Sequence, residues 1–314
     1  MSLALIFPGQ GSQDVGMGGE LAKAFPAAKA VFDEVDEALG QKLSQIMWEG
    51  PKDILTLTAN AQPALMAHSL AVLRVLQSEC GLDLAAKVKY VAGHSLGEYS
   101  ALAAAGTFSV GDAARLLRIR GDAMQKAVPV GRGAMAALLG VGLDIARTVA
   151  AEAAQGDVCD IANDNEPTQV VLSGHKTAID RVPEVGKKHG VRRALPLPVS
   201  APFHCSLMQP AADAMAAALA GIAMKAPVVP VVCNVLAAPI CDPAEIRRCL
   251  IEQVTGTVRW RESVERMTAD GVTLFCEIGT GKVLAGLVKR IAKDATAISI
   301  GAPADLDAAK GLLA

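Results

Sequence analysis

Short apolar runs recur along the chain, separated by longer stretches with apolar residues every three or four positions. The short runs are Leu3–Phe7, Val88–Ala92, Ala134–Leu139, Val158–Ala162, Gln169–Ser173, Val191–Leu197, Val228–Cys233, Val272–Ile278 and Thr296–Ile300. Their length and β-branched content predict buried strands. The three-and-four spacing predicts helices over Glu20–Leu39, Pro63–Glu79, Ser109–Ala127, Asp144–Ala154, Thr177–His189, Cys205–Gly221, Pro243–Gln253, Arg261–Ala269 and Lys282–Ala292. Strand alternating with helix implies an α/β protein with a mainly parallel sheet covered on both faces. Between Val128 and Pro198 the order becomes β-α-β-β-α-β, with Asn163–Pro167 joining the middle strands. That order is the split, ferredoxin-like pattern. Residues 128–198 are therefore expected as a small inserted subdomain, and 1–127 with 199–314 as the larger one.

The hexapeptide Gly93-His94-Ser95-Leu96-Gly97-Glu98 falls between a predicted strand and the helix formers Tyr99–Ala105, closed by Gly106. G-x-S-x-G at such a turn is the nucleophile elbow. Its glycines remove Cβ atoms where backbone segments crowd. The serine hydroxyl then stands exposed at the carboxyl end of the strand. The following helix turns its N-terminus toward a developing oxyanion. An ordinary β–α connection with Ser95 as N-cap is the alternative. The strand-before, helix-after context favours the nucleophile.

Composition narrows the field. The net charge of −2 includes no long run of either sign, so neither nucleic acid nor an anionic membrane surface is expected as a partner. Aromatics at 3% leave no base-stacking platform. The seven cysteines are odd in number and contain no C-x-x-C, which points to a reduced, cytoplasmic protein. Met1–Pro8 has no basic region and too short an apolar run for a signal peptide. Gly9-Gln10-Gly11 is no dinucleotide fingerprint, because Asp14 holds the third glycine position. Gly279-Thr280-Gly281-Lys282 is no phosphate loop, with Cys276 and Val283 at its required flanks.

A serine nucleophile needs a base. Of the histidines, His68 and His189 sit in helical patterns, His175 in a turn of the insert, and His94 beside Ser95. His204 lies in the loop Val199–Cys205, just after the chain returns from the insert, and is the candidate best placed to act. In the helix from Ser109, Arg120 falls on the stripe of Ala113, Leu116, Leu117 and Met124. An arginine on a core-facing stripe needs a partner. Helical spacing alone favours an internal carboxylate. A substrate carboxylate held by the guanidinium fork is the alternative.

In order and spacing, several motifs resemble the malonyl-CoA:acyl carrier protein transacylases of fatty acid synthesis, over the whole chain. They are Phe7–Gln13, Gly93–Tyr99, Arg120-Gly121 with Met124-Gln125, Pro198–Ser200 with Phe203-His204, Asn163-x-Asn165, Gln253 ahead of Val258-x-Trp260, and Glu277–Leu284. The resemblance implies a hydrolase-like α/β subdomain with a ferredoxin-like insert. It implies Ser95 as nucleophile, His204 as base and the Gln253 backbone carbonyl as third member. It implies the backbone N–H groups of Gln10 and Leu96 as oxyanion hole and Arg120 as clamp for the malonyl carboxylate. It also places Phe203 and Asn165 at the substrate. The implied reaction is ping-pong transfer of malonyl from malonyl-CoA to acyl carrier protein, with no cofactor beyond the coenzyme A thioester and no metal, in a cytoplasmic monomer. Thr280, Asp164 and Glu166 depart from the family pattern, and the two acids are expected to alter the active-site mouth. Two rivals remain: a serine thioesterase or esterase, which requires a carboxylate third member, and a docking module, which requires loss of nucleophile or base.

Overall fold

The computed structural model describes residues 2–313, apart from the side chains at positions 308, 312 and 313. Among these residues the strands, in chain order, are β1 (Leu3–Phe7), β2 (Val88–Gly93), β3 (Gly133–Leu139), β4 (Cys159–Glu166), β5 (Gln169–His175), β6 (Arg193–Pro196), β7 (Val231–Cys233), β8 (Ala238–Ile240), β9 (Leu274–Ile278) and β10 (Thr296–Ile300). One sheet has the order β10-β9-β1-β2-β7-β8 and the other β4-β5-β3-β6.

The first sheet is parallel from β10 to β7, and only the edge strand β8 runs antiparallel. β1 is buried at all five positions because helices cover both faces. Leu5 and Phe7 join the core that contains the helix Thr58–Cys80, whereas Ala4 and Ile6 pack with Trp260, Val264 and Leu284 on the other face. The two-residue period of a strand thus feeds two cores at once.

The second sheet is antiparallel throughout, in the ferredoxin-like order expected. The helices Leu143–Ala154 and Lys176–Lys188 cover one face around Leu138, Val149, Leu172 and Val182. From the other face Met135, Ala137 and Val171 join the main core.

Several expectations need correction. The helix over 20–39 is two, Gly19–Ala24 and Pro26–Leu39, because Phe25 is extended ahead of Pro26. The helix expected from Pro63 begins at Thr58, so the proline lies inside it rather than at its first position. Cys205–Gly221 resolves into a 3₁₀ turn, Ser206–Met208, and the helix Gln209–Ala220. β7 is shorter than expected and forms a hairpin with β8 that the apolar pattern did not reveal.

The largest difference lies at Asn163–Glu166, which continues β4 instead of forming a loop. Asp164 N–H donates to the Val258 carbonyl, and Val258 N–H donates to Ala162. The Asp164 carboxylate is buried and takes Arg261 Nε at 3.1 Å and Nη2 at 2.7 Å. Asparagine and acid composition suggested a turn, but pairing with the larger subdomain overrides it. The acids therefore do not form a loose acidic mouth: Asp164 is pinned to Arg261, and Glu166 accepts from Thr168.

Candidate active site

The chain between β2 and the helix Leu96–Ala104 turns too tightly for side chains at the two glycines. A Cβ on Gly93 would lie 1.9 Å from the Gly97 carbonyl carbon, and one on Gly97 would lie 2.3 Å from the Phe7 oxygen. Between them Ser95 sits at φ 55°, ψ −111°, a sparsely populated region for any residue with a side chain. Its backbone N–H donates to Asn234 Oδ1 at 2.8 Å, and Asn234 Nδ2 donates to the Gly93 carbonyl at 2.7 Å. Ser95 holds the N-cap position, yet its side chain makes no capping bond. Its Oγ lies instead 2.7 Å from His204 Nε2.

His204 is buried and also adopts a positive φ, 57°. Its Nδ1 lies 2.9 Å from the backbone oxygen of Gln253, the last residue of the helix Pro243–Gln253. A carbonyl only accepts, so Nδ1 carries the proton and Nε2 is free to accept from Ser95. Burial first, and then the positive charge of Arg120, push His204 down to about 3, so its imidazole is neutral at neutral pH. The third member is a backbone carbonyl rather than the carboxylate that a hydrolase reading requires.

Arg120 is buried on the helix Val110–Ala127, as its stripe implied. The internal carboxylate favoured by spacing is not its partner. Nη1 donates to Gln62 Oε1 at 2.8 Å, and Nη2 donates to Gln253 Oε1 at 2.9 Å and Ser95 Oγ at 3.1 Å. Burial disfavours its charged form, while Tyr99 and Glu98 nearby act in the opposite sense. The guanidinium carbon stands 5.6 Å from the Tyr99 ring centre.

These groups share a cavity of about 470 Å³ whose lining also includes Gln10, Leu96, Met124, Asn163 and Phe203. Leu96 is the first helical residue, a position whose N–H has no intrahelical acceptor. Asn165 reaches the site through His94, with Oδ1 2.9 Å from His94 Nε2. A larger cavity, about 610 Å³, lies between Gly16–Gly19 and Gly279–Lys282 but holds none of Ser95, His204 or Arg120. The first amides of the helix Val283–Ile291 donate to the buried Glu277, so that helix end is already satisfied internally. The remaining histidines are engaged elsewhere. His68 contacts the Gly301 carbonyl, His175 accepts from Val158 N–H, and His189 meets Glu152. The residues that sequence reasoning missed are Gln62, Asn234 and Glu98. Asn234 holds the Ser95 backbone N–H directly, Glu98 acts through Asn234 and Gln253, and only the elbow motif hinted at Glu98.

A serine on a strand-to-helix elbow, in hydrogen-bond contact with a buried neutral histidine, is the arrangement of enzymes that move acyl groups through a serine ester. The family profile described as the acyl transferase domain matches residues 4–303, and the chain belongs to that family. It is 46% identical over 308 residues to the malonyl CoA-acyl carrier protein transacylase of Bacillus subtilis, covering 98% of this chain and 96% of that one. The acyl-carrier-protein-S-malonyltransferase structure from Bartonella henselae superposes with a TM-score of 0.97 at 55% identity, over 100% of this chain and 99% of the other. A malonyl-transacylase solved in complex with a type II polyketide synthase acyl-carrier protein superposes with a TM-score of 0.96 at 43% identity, over 99% of this chain and all of that one.

Proposed function

We propose that this acyltransferase moves malonyl from malonyl-CoA to the phosphopantetheine thiol of acyl carrier protein, through a malonyl ester on Ser95, and so supplies fatty acid elongation. The observation that carries the reading is the convergence of nucleophile, base and cation: Ser95 Oγ lies 2.7 Å from His204 Nε2 and 3.1 Å from Arg120 Nη2. Residues 128–198 serve as the inserted subdomain, and the rest as the catalytic one.

Ser95 gives its proton to His204 as Oγ attacks the thioester carbonyl. The Gln10 and Leu96 N–H groups hold the oxyanion. Collapse breaks the carbon–sulfur bond, and the leaving thiol takes the proton from His204. In the second half the carrier's thiol passes its proton to His204, attacks the ester and restores the Ser95 hydroxyl. Arg120 grips the malonyl carboxylate, with Phe203 and Asn165, through His94, shaping the rest of the site. The carboxylate also neutralises the cation that helps hold His204 low. The right acyl group thereby strengthens its own base. This chemistry needs neither metal nor cofactor.

We place the enzyme in the cytoplasm as a monomer. All seven cysteines are free, as a reduced compartment requires. Among the described residues, no helix is long and apolar enough to cross a membrane.

The test is partition of the acyl group. With malonyl-CoA and the carrier in its phosphopantetheine form, carrier malonylation should exceed hydrolysis by orders of magnitude. Hydrolysis at an equal rate with and without carrier would favour a thioesterase.

A further inference from the structure

Glu98 ends the elbow motif, yet its hydrogen bonds run to neither the serine hydroxyl nor the histidine ring. It is buried, and its Oε2 accepts from the side-chain Nε2 of Gln253 at 2.9 Å and from the backbone N–H of Asn234 at 3.0 Å. Gln253 Nε2 also donates to the Ser95 carbonyl at 3.0 Å. Both hydrogens of that amide are thus committed, and its oxygen must face the other way. There Oε1 accepts from Arg120 Nη2. Gln62 is oriented by the same logic. Its Nε2 donates to Thr58 Oγ1 at 2.9 Å, the Thr58 hydroxyl donates to Gln10 Oε1 at 2.8 Å, and Gln62 Oε1 faces Arg120. A half-turn of the Gln253 amide would set N–H groups against the guanidinium and a carbonyl oxygen against Glu98.

We propose that Glu98 is a positioning residue: as an acceptor of fixed reach it locks the Gln253 amide with its oxygen on Arg120, and so aims the guanidinium at the acyl carboxylate. The proposal rests on the malonyl-clamp reading of Arg120. It assigns Glu98 a role through reach rather than charge, since the bonds from Gln253 and Asn234 both fall on one oxygen, with the Cys233 thiol a further donor to the carboxylate. Burial holds its carboxyl up at about 7, and a protonated carboxyl with its proton on the other oxygen keeps that acceptor.

Two substitutions separate reach from charge. Glu98→Gln keeps an acceptor at the same distance and removes the charge. Glu98→Asp keeps the charge and withdraws the acceptor by one methylene. The measurement is the rate of acylation by malonyl-CoA and by acetyl-CoA for each purified variant, with melting temperature alongside. The expected malonyl-to-acetyl ratio is within about threefold of wild type for Glu98→Gln and lower by about tenfold or more for Glu98→Asp, the loss of one charge-assisted hydrogen bond. Where the shortened side chain does not fold, Glu98→Leu keeps the volume, lacks the acceptor and should show the same selective loss. An unchanged ratio in the variants lacking the acceptor, or a loss in Glu98→Gln as large as in Glu98→Asp, overturns the proposal. Arg120→Ala run in parallel separates the two readings. An unchanged malonyl-to-acetyl ratio in it would overturn the clamp itself. A lowered ratio in it beside unaltered Glu98 variants would overturn only the positioning role.

Discussion

The two subdomains treat buried charge in opposite ways. In the insert, Asp164 is buried and answered by two nitrogens of Arg261. In the larger subdomain, Arg120 is buried and meets amide and hydroxyl oxygens. The first is answered within the protein by an arginine that also holds Glu265, and together with the Val258 backbone bonds it fastens the insert to the start of the helix Trp260–Ala269. The second is a cation held in place without a hydrogen-bonded carboxylate, open to a cavity. Taking a charge out of water costs several kcal/mol unless something answers it. A pair answered within the protein reads as structure. A cation answered by dipoles, beside a nucleophile, reads as a place for a ligand's charge.

Ser95 and His204 form the part of the comparison with the largest stakes. Ser95→Ala should lower malonyl transfer by several orders of magnitude, as removal of a nucleophile does. His204→Ala should slow acylation by roughly a hundredfold or more, measured by single-turnover release of coenzyme A. A near-normal His204→Ala rate beside a dead His94→Ala would move the base to His94.

Arg120→Ala should cost malonyl transfer about tenfold to a hundredfold, while acetyl transfer, with no carboxylate to hold, should change far less. Arg120→Lys should recover little, because an ammonium lacks the planar fork. Equal losses for both acyl groups with a lowered melting temperature would make Arg120 a structural residue, like Arg261. The converse variant sharpens the contrast. Arg261→Ala leaves Asp164 buried without its partner and should destabilise by about 3 kcal/mol, read by denaturant unfolding. Its malonyl-to-acetyl ratio should stay at the wild-type value. A shifted ratio would show that the insert's pair also tunes the pocket.

The smallest expected effect is in pH. His204 is held far below a free imidazole by burial, by Arg120 and by the neighbouring His94. A lowered value keeps the proton-accepting form populated as pH falls. Acylation kcat/KM should therefore drop less than about twofold between pH 8 and pH 5, where an unperturbed imidazole of about 6.5 would lose roughly thirtyfold. A step centred near 6.5 would contradict that sign.

How much of this was legible depends on what carries each signal. The alternation of apolar runs gave the sheet, because β1 must be apolar throughout to bury both faces. Ser95 was legible because the tight turn excludes a side chain at Gly93 and the end of β1 excludes one at Gly97. Arg120 was legible as a buried position but not in its partners, since helical spacing says nothing of what faces the helix. Gln253 gave no signal of its own. Its backbone carbonyl orients the histidine, and any residue type carries one, so only the family resemblance named it. Asn163–Glu166 misled because its local composition is that of a turn, while the contacts that extend it come from Val258 and Arg261, nearly a hundred residues away. Glu98 lay in the motif from the start. Its purpose required the placement of Gln253 and Asn234, which only the folded chain supplies.

The central claim is that Ser95 carries the acyl group and that the cavity around it selects malonyl. The most direct measurement is intact mass after brief exposure to malonyl-CoA, with acetyl-CoA in parallel, followed by peptide mapping. The account predicts one malonyl adduct per chain, on the peptide containing Ser95, with much slower acetyl labelling. No adduct, an adduct on another peptide, or equal labelling by the two thioesters would contradict it.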